Sequence, residues 1–448
     1  MTDLVQHLAA HAAQFPIDRV DASVRDHLAV DLVDGLAAII GGIRAPGVAE
    51  LAAVLAAQSR VGGAQRFVGA ERFPAIIAAQ LNATAGHALD YDDTLDEGGG
   101  MHAGALVHSA ALAVADELGG VNGATFVAAA AVGLDIAVRL ALAPTRDFGW
   151  HRTSAFGIFG VVGAVGRLYG LNQEQFVNAF GIAYAQASGN RQCIADGALS
   201  KRLQAGFAAR DGIIAVQLAK AGVTGASRVF EGVDGFFPLY QRGEYVRERV
   251  TEGLGERLLS RRISLKPYPC GRNLHGLLDA SERAQSAHAG RTIEQIEVYI
   301  DAKSLARATL SWPEHVVAAQ FSIPFVVALS TATGRTSLAD FDAPASVPAA
   351  VKSLFQRVQV RAHDGAPEDE RIVFRYADGA SHEERTPRVR LGHPDNPVSR
   401  EQTAAKLRDC NAFAGSPLSS ERVEAVLSVA LDITNLPATT ALTSLLRI

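Results

Sequence analysis

A mostly α-helical protein of two domains is what this sequence predicts, and three observations carry the prediction. Apolar residues recur three and four positions apart through about the first 240 residues, where no convincing strand pattern is found. Gly numbers 42 and aromatic residues make up only 6%, so small side chains must build much of the core, which favours close helix-to-helix approach. Further along, short alternating apolar runs appear and then give way to helical texture again.

The helices follow in order. From Ser23 to about Ile40 the stripe Leu28, Leu32, Leu36, Ile39 and Ile40 marks an amphipathic helix. Leu51 to Ala57, Ile76 to Tyr91, Ala103 to Leu118, Ala124 to Ala143, Ser154 to Tyr169, Gln173 to Ala187 and Ala208 to Ala221 read the same way, most bounded by Gly or Pro. The longest apolar run, Phe126 to Ala143, is broken by Asp135 and Arg139, so it is expected as a buried helix and not a membrane span. Strands are expected around Ile296, Val298 and Ile300, around Val358 and Val360, and around Ile372, Phe374 and Tyr376. The last should enter a hairpin through the Asp378-Gly379 turn. Leu274 to Ala284 and Ala318 to Ala332 are helical between the strands, and Ser399 to Phe413, Ser420 to Val429 and Thr439 to Leu446 follow them. The expected architecture is a large all-α domain made from residues 1–257 and 396–448, with a smaller α/β lid inserted at 258–395. A cleft between the two is the expected binding site.

Composition excludes several classes. At 448 residues, 48% hydrophobic and 20% charged, the chain can bury a sizeable core, which rules out a disordered or fibrous protein. A net charge of -5 offers no field to attract nucleic acid. Cys193, Cys270 and Cys410 are odd in number and lack CxxC spacing, so no disulfide framework or thiolate zinc site is indicated, which suits a reducing cytosol. The N-terminus lacks the pattern of a signal peptide. No cofactor and no membrane partner is expected.

Four segments concentrate chemistry. The first is His87-Ala-Leu-Asp90-Tyr91-Asp92-Asp93-Thr94, followed by Gly98-Gly99-Gly100 and His102. On a helix Asp90, Asp93 and Thr94 would share a face and Asp92 would point away. Carboxylates at the negative end of a helix dipole are unfavourable, so a function is expected to retain them. The second is Gly149-Trp150-His151-Arg152-Thr153-Ser154, where a helix N-terminus and Arg152 can hold a carboxylate. The third is Ser200-Lys201-Arg202-Leu-Gln-Ala-Gly206, read as a loop feeding a helix that begins near Ala205; a partly buried Lys201 there would serve as acid or base. The fourth is Lys266-Pro-Tyr268-Pro-Cys270-Gly271-Arg272-Asn273-Leu-His275, in which Arg272 is a fork for a carboxylate and Cys270 a buried thiol.

Together with Gly225 to Gly235, Ala319 to Phe325 and Gly392 to Pro397, these segments resemble the MmgE/PrpD family, which includes 2-methylcitrate dehydratase, cis-aconitate decarboxylase and iminodisuccinate epimerase. The resemblance runs through most of the chain in the family's order. It implies a helical domain with a smaller lid, a homodimer, and active-site positions at Asp90, Thr94, His102, His151, Lys201, Lys266 and His275. It also implies a metal-independent lyase or isomerase that removes a proton next to a carboxylate of a small di- or tricarboxylic acid, with dehydration the first reaction expected and epimerisation or decarboxylation the alternatives. Asp90, Thr94, His102, His151 and Lys201 are expected to be catalytic, and Lys266, Arg272, His275 and Arg152 to bind substrate. The chain departs from the family at Ala103, where the family has His-Pro, at Gly271, where cis-aconitate decarboxylase has a histidine, and at Phe325, where a tyrosine is common. The last two speak against decarboxylation.

Two rival readings have a basis in the residues. Asp92-Asp93-Thr94-Leu95-Asp96 matches the DDxxD of magnesium-dependent isoprenoid synthases, since carboxylates are right for Mg²⁺. The departures also allow a non-catalytic paralogue.

Overall fold

The computed structural model describes residues 2–59, 61–97, 99–306, 309–363, 365 and 369–448. Gly98 of the triple-glycine loop lies outside them. The chain forms two compact units, Met1–Leu265 with Ser399–Ile448, and Lys266–Val398.

The first unit is dominated by long helices, among them Ala22–Gly42, Ala75–Gly86, Gly104–Glu117, Gly123–Leu142, Arg152–Leu168, Ser200–Lys220 and Arg400–Phe413. Many start on a side-chain cap: Asp21 accepts from the Val24 amide, Asn122 from Thr125 and Ser399 from Gln402. The glycines act as the composition suggests. A Cβ at Gly133 would lie 2.5 Å from the Gly160 carbonyl oxygen, so Gly123–Leu142 and Arg152–Leu168 cross with their backbones nearly touching. Gly123–Leu142 is long and apolar enough to cross a membrane, and it is largely buried within this unit. Its Asp135 accepts from Arg139 Nε at 2.8 Å and lies 2.9 Å from His11 Nε2, so its two charged residues are paired in the core.

The all-α expectation for this unit is corrected. Among the described residues, strands are not confined to the second unit. A ribbon of β1 (Ala64–Gln65) and β2 (Arg72–Phe73) pairs Ala64 with Phe73 and Gln65 with Arg72. Two-residue strands are too short to show a period of two, and the ribbon is held instead by the Gln65 side-chain amide, which donates to the carbonyls of Arg66 and Gly69. The helix expected from Ile76 to Tyr91 also ends early, at Gly86.

The second unit is a four-stranded mixed sheet covered by helices. β3 (Ile293–Asp301) runs parallel to β4 (Val358–His363) and antiparallel to β5 (Arg371–Tyr376), which pairs with β6 (Ser381–Arg385), giving the order β4-β3-β5-β6. The parallel pair needs a long crossover, supplied by helical segments between residues 302 and 355. Ile296, Val298, Ile300, Ile372, Phe374 and Tyr376 turn one sheet face toward the helices His275–Arg283 and Ile323–Thr333. The hairpin forms at Asp378-Gly379: Gly379 takes φ +82° and Asp378 Oδ1 accepts the Ala380 amide at 2.9 Å.

Candidate active site

The acidic segment is irregular chain. After Gly86 the backbone turns through Asp90, whose φ of +53° is left-handed, a conformation Asp tolerates better than most residues. It then extends so that Thr94 exchanges backbone hydrogen bonds with Ser264, at 2.8 and 2.7 Å. The expected common face of Asp90, Asp93 and Thr94 is therefore corrected, because it needed a helix that has already ended.

Each carboxylate instead has its own role. Asp90 Oδ1 receives Lys201 Nζ at 2.5 Å. Asp92 Oδ2 pairs with His87 Nδ1 at 2.6 Å. Asp93 caps the Gly104–Glu117 helix, accepting the amides of Ala103, Gly104 and Ala105 at 3.1, 3.0 and 3.3 Å. A carboxylate at that positive end is favourable, which answers the dipole objection. Burial, with Asp31 and Asp92 nearby, raises the Asp93 pKa well above the usual carboxylate range. Asp96 accepts from the Ser264 hydroxyl at 2.9 Å, so the three acids of DDxxD turn to different partners and do not converge on one cation.

Three histidines gather around Asp92. His102 Nδ1 donates to the Asp93 carbonyl at 2.5 Å, and lies 3.6 Å from Asp92 Oδ1. Its backbone N–H donates to Thr153 Oγ1 at 3.1 Å, tying it to the helix that follows His151. His151 stands at the N-terminus of Arg152–Leu168 with its Nε2 3.4 Å from His87 Nε2. Burial lowers the His151 pKa well below its ordinary value, and the neighbouring His87 and Lys201 add to the effect against the pull of Asp92. His151 is therefore a neutral imidazole at pH 7. Its Nδ1 and the Thr94 hydroxyl are buried with no hydrogen-bond partner among the described residues. His87, Asp92 and His102 each offer a donor atom within 4.8 Å of the others, a set able to hold a divalent cation.

Lys201 sits in the first turn of Ser200–Lys220, which begins earlier than expected. Close packing sets its position: a Cβ at Gly206 would lie 2.1 Å from Thr84 Oγ1 and 2.6 Å from the Gln80 carbonyl oxygen, so that helix lies directly against Ala75–Gly86. Arg152 turns to the carbonyls of Ala141 and Arg146, at 3.1 and 3.3 Å, which spends two guanidinium donors on the backbone. The sequence placed His87 and Asp92 in the acidic segment without giving either a catalytic role. Sequence reasoning missed Lys406, which donates to Asp34 Oδ1 and the Tyr91 carbonyl, both at 2.6 Å, and so braces the acidic segment from the far end of the chain.

In the second unit Lys266 is buried at the start of its segment. Arg272 Nη1 donates to the Leu391 carbonyl at 2.7 Å and lies 3.2 Å from His275 Nδ1, while His275 Nε2 meets the Cys270 carbonyl at 3.3 Å. His275 thus has both ring nitrogens engaged within its own loop, and burial with Arg272 close by lowers its pKa well below normal. These contacts help hold the loop together. Gly271 has little space around it: a Cβ would lie 3.0 Å from both Asn273 Oδ1 and Phe321 Cε1. Asp279 and Glu282, also missed, flank the Tyr268 hydroxyl at 2.8 and 2.9 Å, and burial pushes Glu282 up to about 7.

The model of the MmgE/PrpD N-terminal domain matches residues 6–249, and that of the MmgE/PrpD C-terminal domain matches residues 268–432. The cis-aconitate decarboxylase of Aspergillus terreus (strain NIH 2624 / FGSC A1156) is 26% identical over 470 residues, covering 97% of this chain and 94% of that protein. The cis-aconitate decarboxylase-like protein oryM of Aspergillus oryzae is 27% identical, covering 80% of this chain and 79% of its own. The cis-aconitate decarboxylase of Mus musculus is 25% identical, covering 84% and 79%.

Proposed function

The chain belongs to the MmgE/PrpD family, and from that premise we propose that it is a lyase acting on a small di- or tricarboxylic acid by proton transfer at a carbon next to a carboxylate, with loss of water as its reaction. The single observation that carries this reading is His151: a buried, neutral imidazole with an unpartnered ring nitrogen, close enough to Lys201 to feel its charge. Neutral imidazole is a base at pH 7 and requires no prior deprotonation.

In the proposed step the C–H bond adjacent to the carboxylate breaks and its proton passes to His151. The electron pair moves toward the carboxylate, then forms the C=C bond as the C–O bond on the neighbouring carbon breaks. The departing hydroxide takes a proton from the Lys201 ammonium and leaves as water, so His151 gains one proton and Lys201 gives one up. Lys201, held by Asp90, supplies positive charge where negative charge develops, and the Thr94 hydroxyl supplies a donor. His102, fixed through Asp93 and Thr153, is the second candidate proton carrier. Lys266 and Arg272 are proposed as carboxylate ligands.

Decarboxylation is the second reading, favoured by the names of the relatives. It would break the C–CO₂ bond and deliver a proton to carbon. Against it stands Gly271, where the histidine of the decarboxylases is absent and a side chain would press on Phe321 and Asn273. Incubating the purified protein with cis-aconitate and with hydroxy tricarboxylic acids separates the two. Interconversion of alkene and hydroxy acid with carbon count unchanged is the expected result; release of CO₂ from cis-aconitate would replace dehydration with decarboxylation.

A further inference from the structure

We infer that His87 and His151, with Asp92 and His102 beside them, hold a borderline divalent cation of the zinc class, and that a cation bound there silences the lyase by occupying the lone pairs its chemistry needs. Binding stands on geometry alone; the inhibitory consequence rests on the function proposed above.

The argument begins with which ring nitrogens are already used. His87 Nδ1 lies 2.6 Å from Asp92 Oδ2, and His102 Nδ1 lies 2.5 Å from the Asp93 carbonyl oxygen, an acceptor that admits only a donor. Both rings therefore carry a proton on Nδ1 when neutral, which leaves the lone pair on Nε2. A ligating histidine is normally held in this way, its far N–H given to a carboxylate or backbone carbonyl that fixes the ring and raises its basicity.

The second observation is a spacing. His87 Nε2 and His151 Nε2 face each other at 3.4 Å. Two nitrogens bound to one tetrahedral zinc at about 2.0–2.1 Å are roughly 3.3–3.4 Å apart. The two rings therefore stand at the separation a shared cation imposes, and a cation between them replaces a long N···N contact with two coordinate bonds. The third observation is Asp92 Oδ1, buried without a hydrogen-bond partner among the described residues, 3.6 Å from the His102 ring. It supplies negative charge beside the site, and together with His87 and His102 it offers donor atoms all within 4.8 Å of one another. Imidazole nitrogens with one carboxylate suit zinc and its neighbours better than magnesium or calcium, which prefer all-oxygen sites.

Cobalt(II) added to chelator-treated full-length protein tests this, because its visible absorption reports tetrahedral nitrogen and oxygen ligands. Zinc titration by calorimetry gives the affinity. Expected are cobalt bands, displacement by zinc, uptake of a single ion, and a roughly 10–100-fold weaker affinity in Asp92→Asn, which keeps the shape of the side chain. Zinc should also stop turnover, and chelator should restore it. Absence of cobalt bands in the wild type overturns the site outright, as does unchanged zinc affinity in His87→Gln and Asp92→Asn. A protein that binds zinc as described but turns over no carboxylic acid would retain the site and refute the proposed function.

Discussion

Replacing Lys406 by Met removes the brace beneath the acidic segment, and the structure fixes how much that should matter. Lys406 and Asp34 come from opposite ends of the chain, are almost fully buried, and meet at 2.6 Å. The same ammonium donates to the Tyr91 carbonyl and stands 3.9 Å from the centre of the Tyr91 ring. Removing one partner of a buried pair leaves the other uncompensated, at a cost of about 3–5 kcal/mol. Asp34 is already raised to about 6 by burial, even with Lys406 opposing. The sign of the pH dependence follows. A carboxyl raised in the folded state contributes stability that is full below its unfolded pKa, near 3.9, and lost as pH rises through the folded value. Without Lys406 that value rises further, so the deficit of Lys406→Met should be larger at pH 8 than at pH 5, where Asp34 can protonate. Denaturant unfolding of both proteins at the two pH values measures this. Lys406→Met with Asp34→Leu should recover much of the loss, since an apolar pair of similar volume needs no charge compensation. Turnover should fall about 10²-fold because Tyr91 lies between Asp90 and Asp92, and a shift of about 1 Å in such a segment has that effect. A deficit below about 1 kcal/mol, or one independent of pH, would refute the bracing role.

Gly206→Ala should cost about 1–3 kcal/mol by overpacking, because its Cβ would meet Thr84 Oγ1 at 2.1 Å, and it should lower kcat by moving Lys201 relative to Asp90; thermal melting with steady-state kinetics checks both. Glu282→Gln mimics the protonated acid. With its pKa raised to about 7, wild-type Glu282 contributes stability that is lost as pH rises through 7, so the variant should match wild type at pH 5 and melt higher at pH 9. Lys201→Ala should reduce turnover by about 10²-fold or more and lower the melting temperature by less than Lys406→Met does, since Lys201 is partly exposed to water while its partner Asp90 is buried.

Apolar recurrence was sufficient for the long helices, including Gly104–Glu117, which is buried on every side, and for the sheet because Ile372, Phe374 and Tyr376 alternate so plainly. The Asp378-Gly379 turn was legible because few residue pairs favour that backbone. The β1–β2 ribbon was not, since two-residue strands carry no period. The acidic segment misled for a physical reason: three- and four-residue spacing assigns neighbours only while the chain stays helical, and Asp90 at a positive φ breaks that rule. Residue type alone flagged His102, His151 and Lys201. It did not flag Lys406, Asp34, Asp279 or Glu282, whose significance depends on a partner far away in sequence or on a tyrosine hydroxyl across a turn.

The most direct measurement of the central claim is proton NMR of the purified protein in D₂O with a panel of small di- and tricarboxylic acids, comparing wild type with His151→Gln. Neutral His151 as the base predicts that one acid gains deuterium at a carbon next to a carboxylate or is converted to product, and that the variant, still folded, does neither. Deuterium uptake at the wild-type rate in His151→Gln, or silence across the panel with wild type, would contradict it.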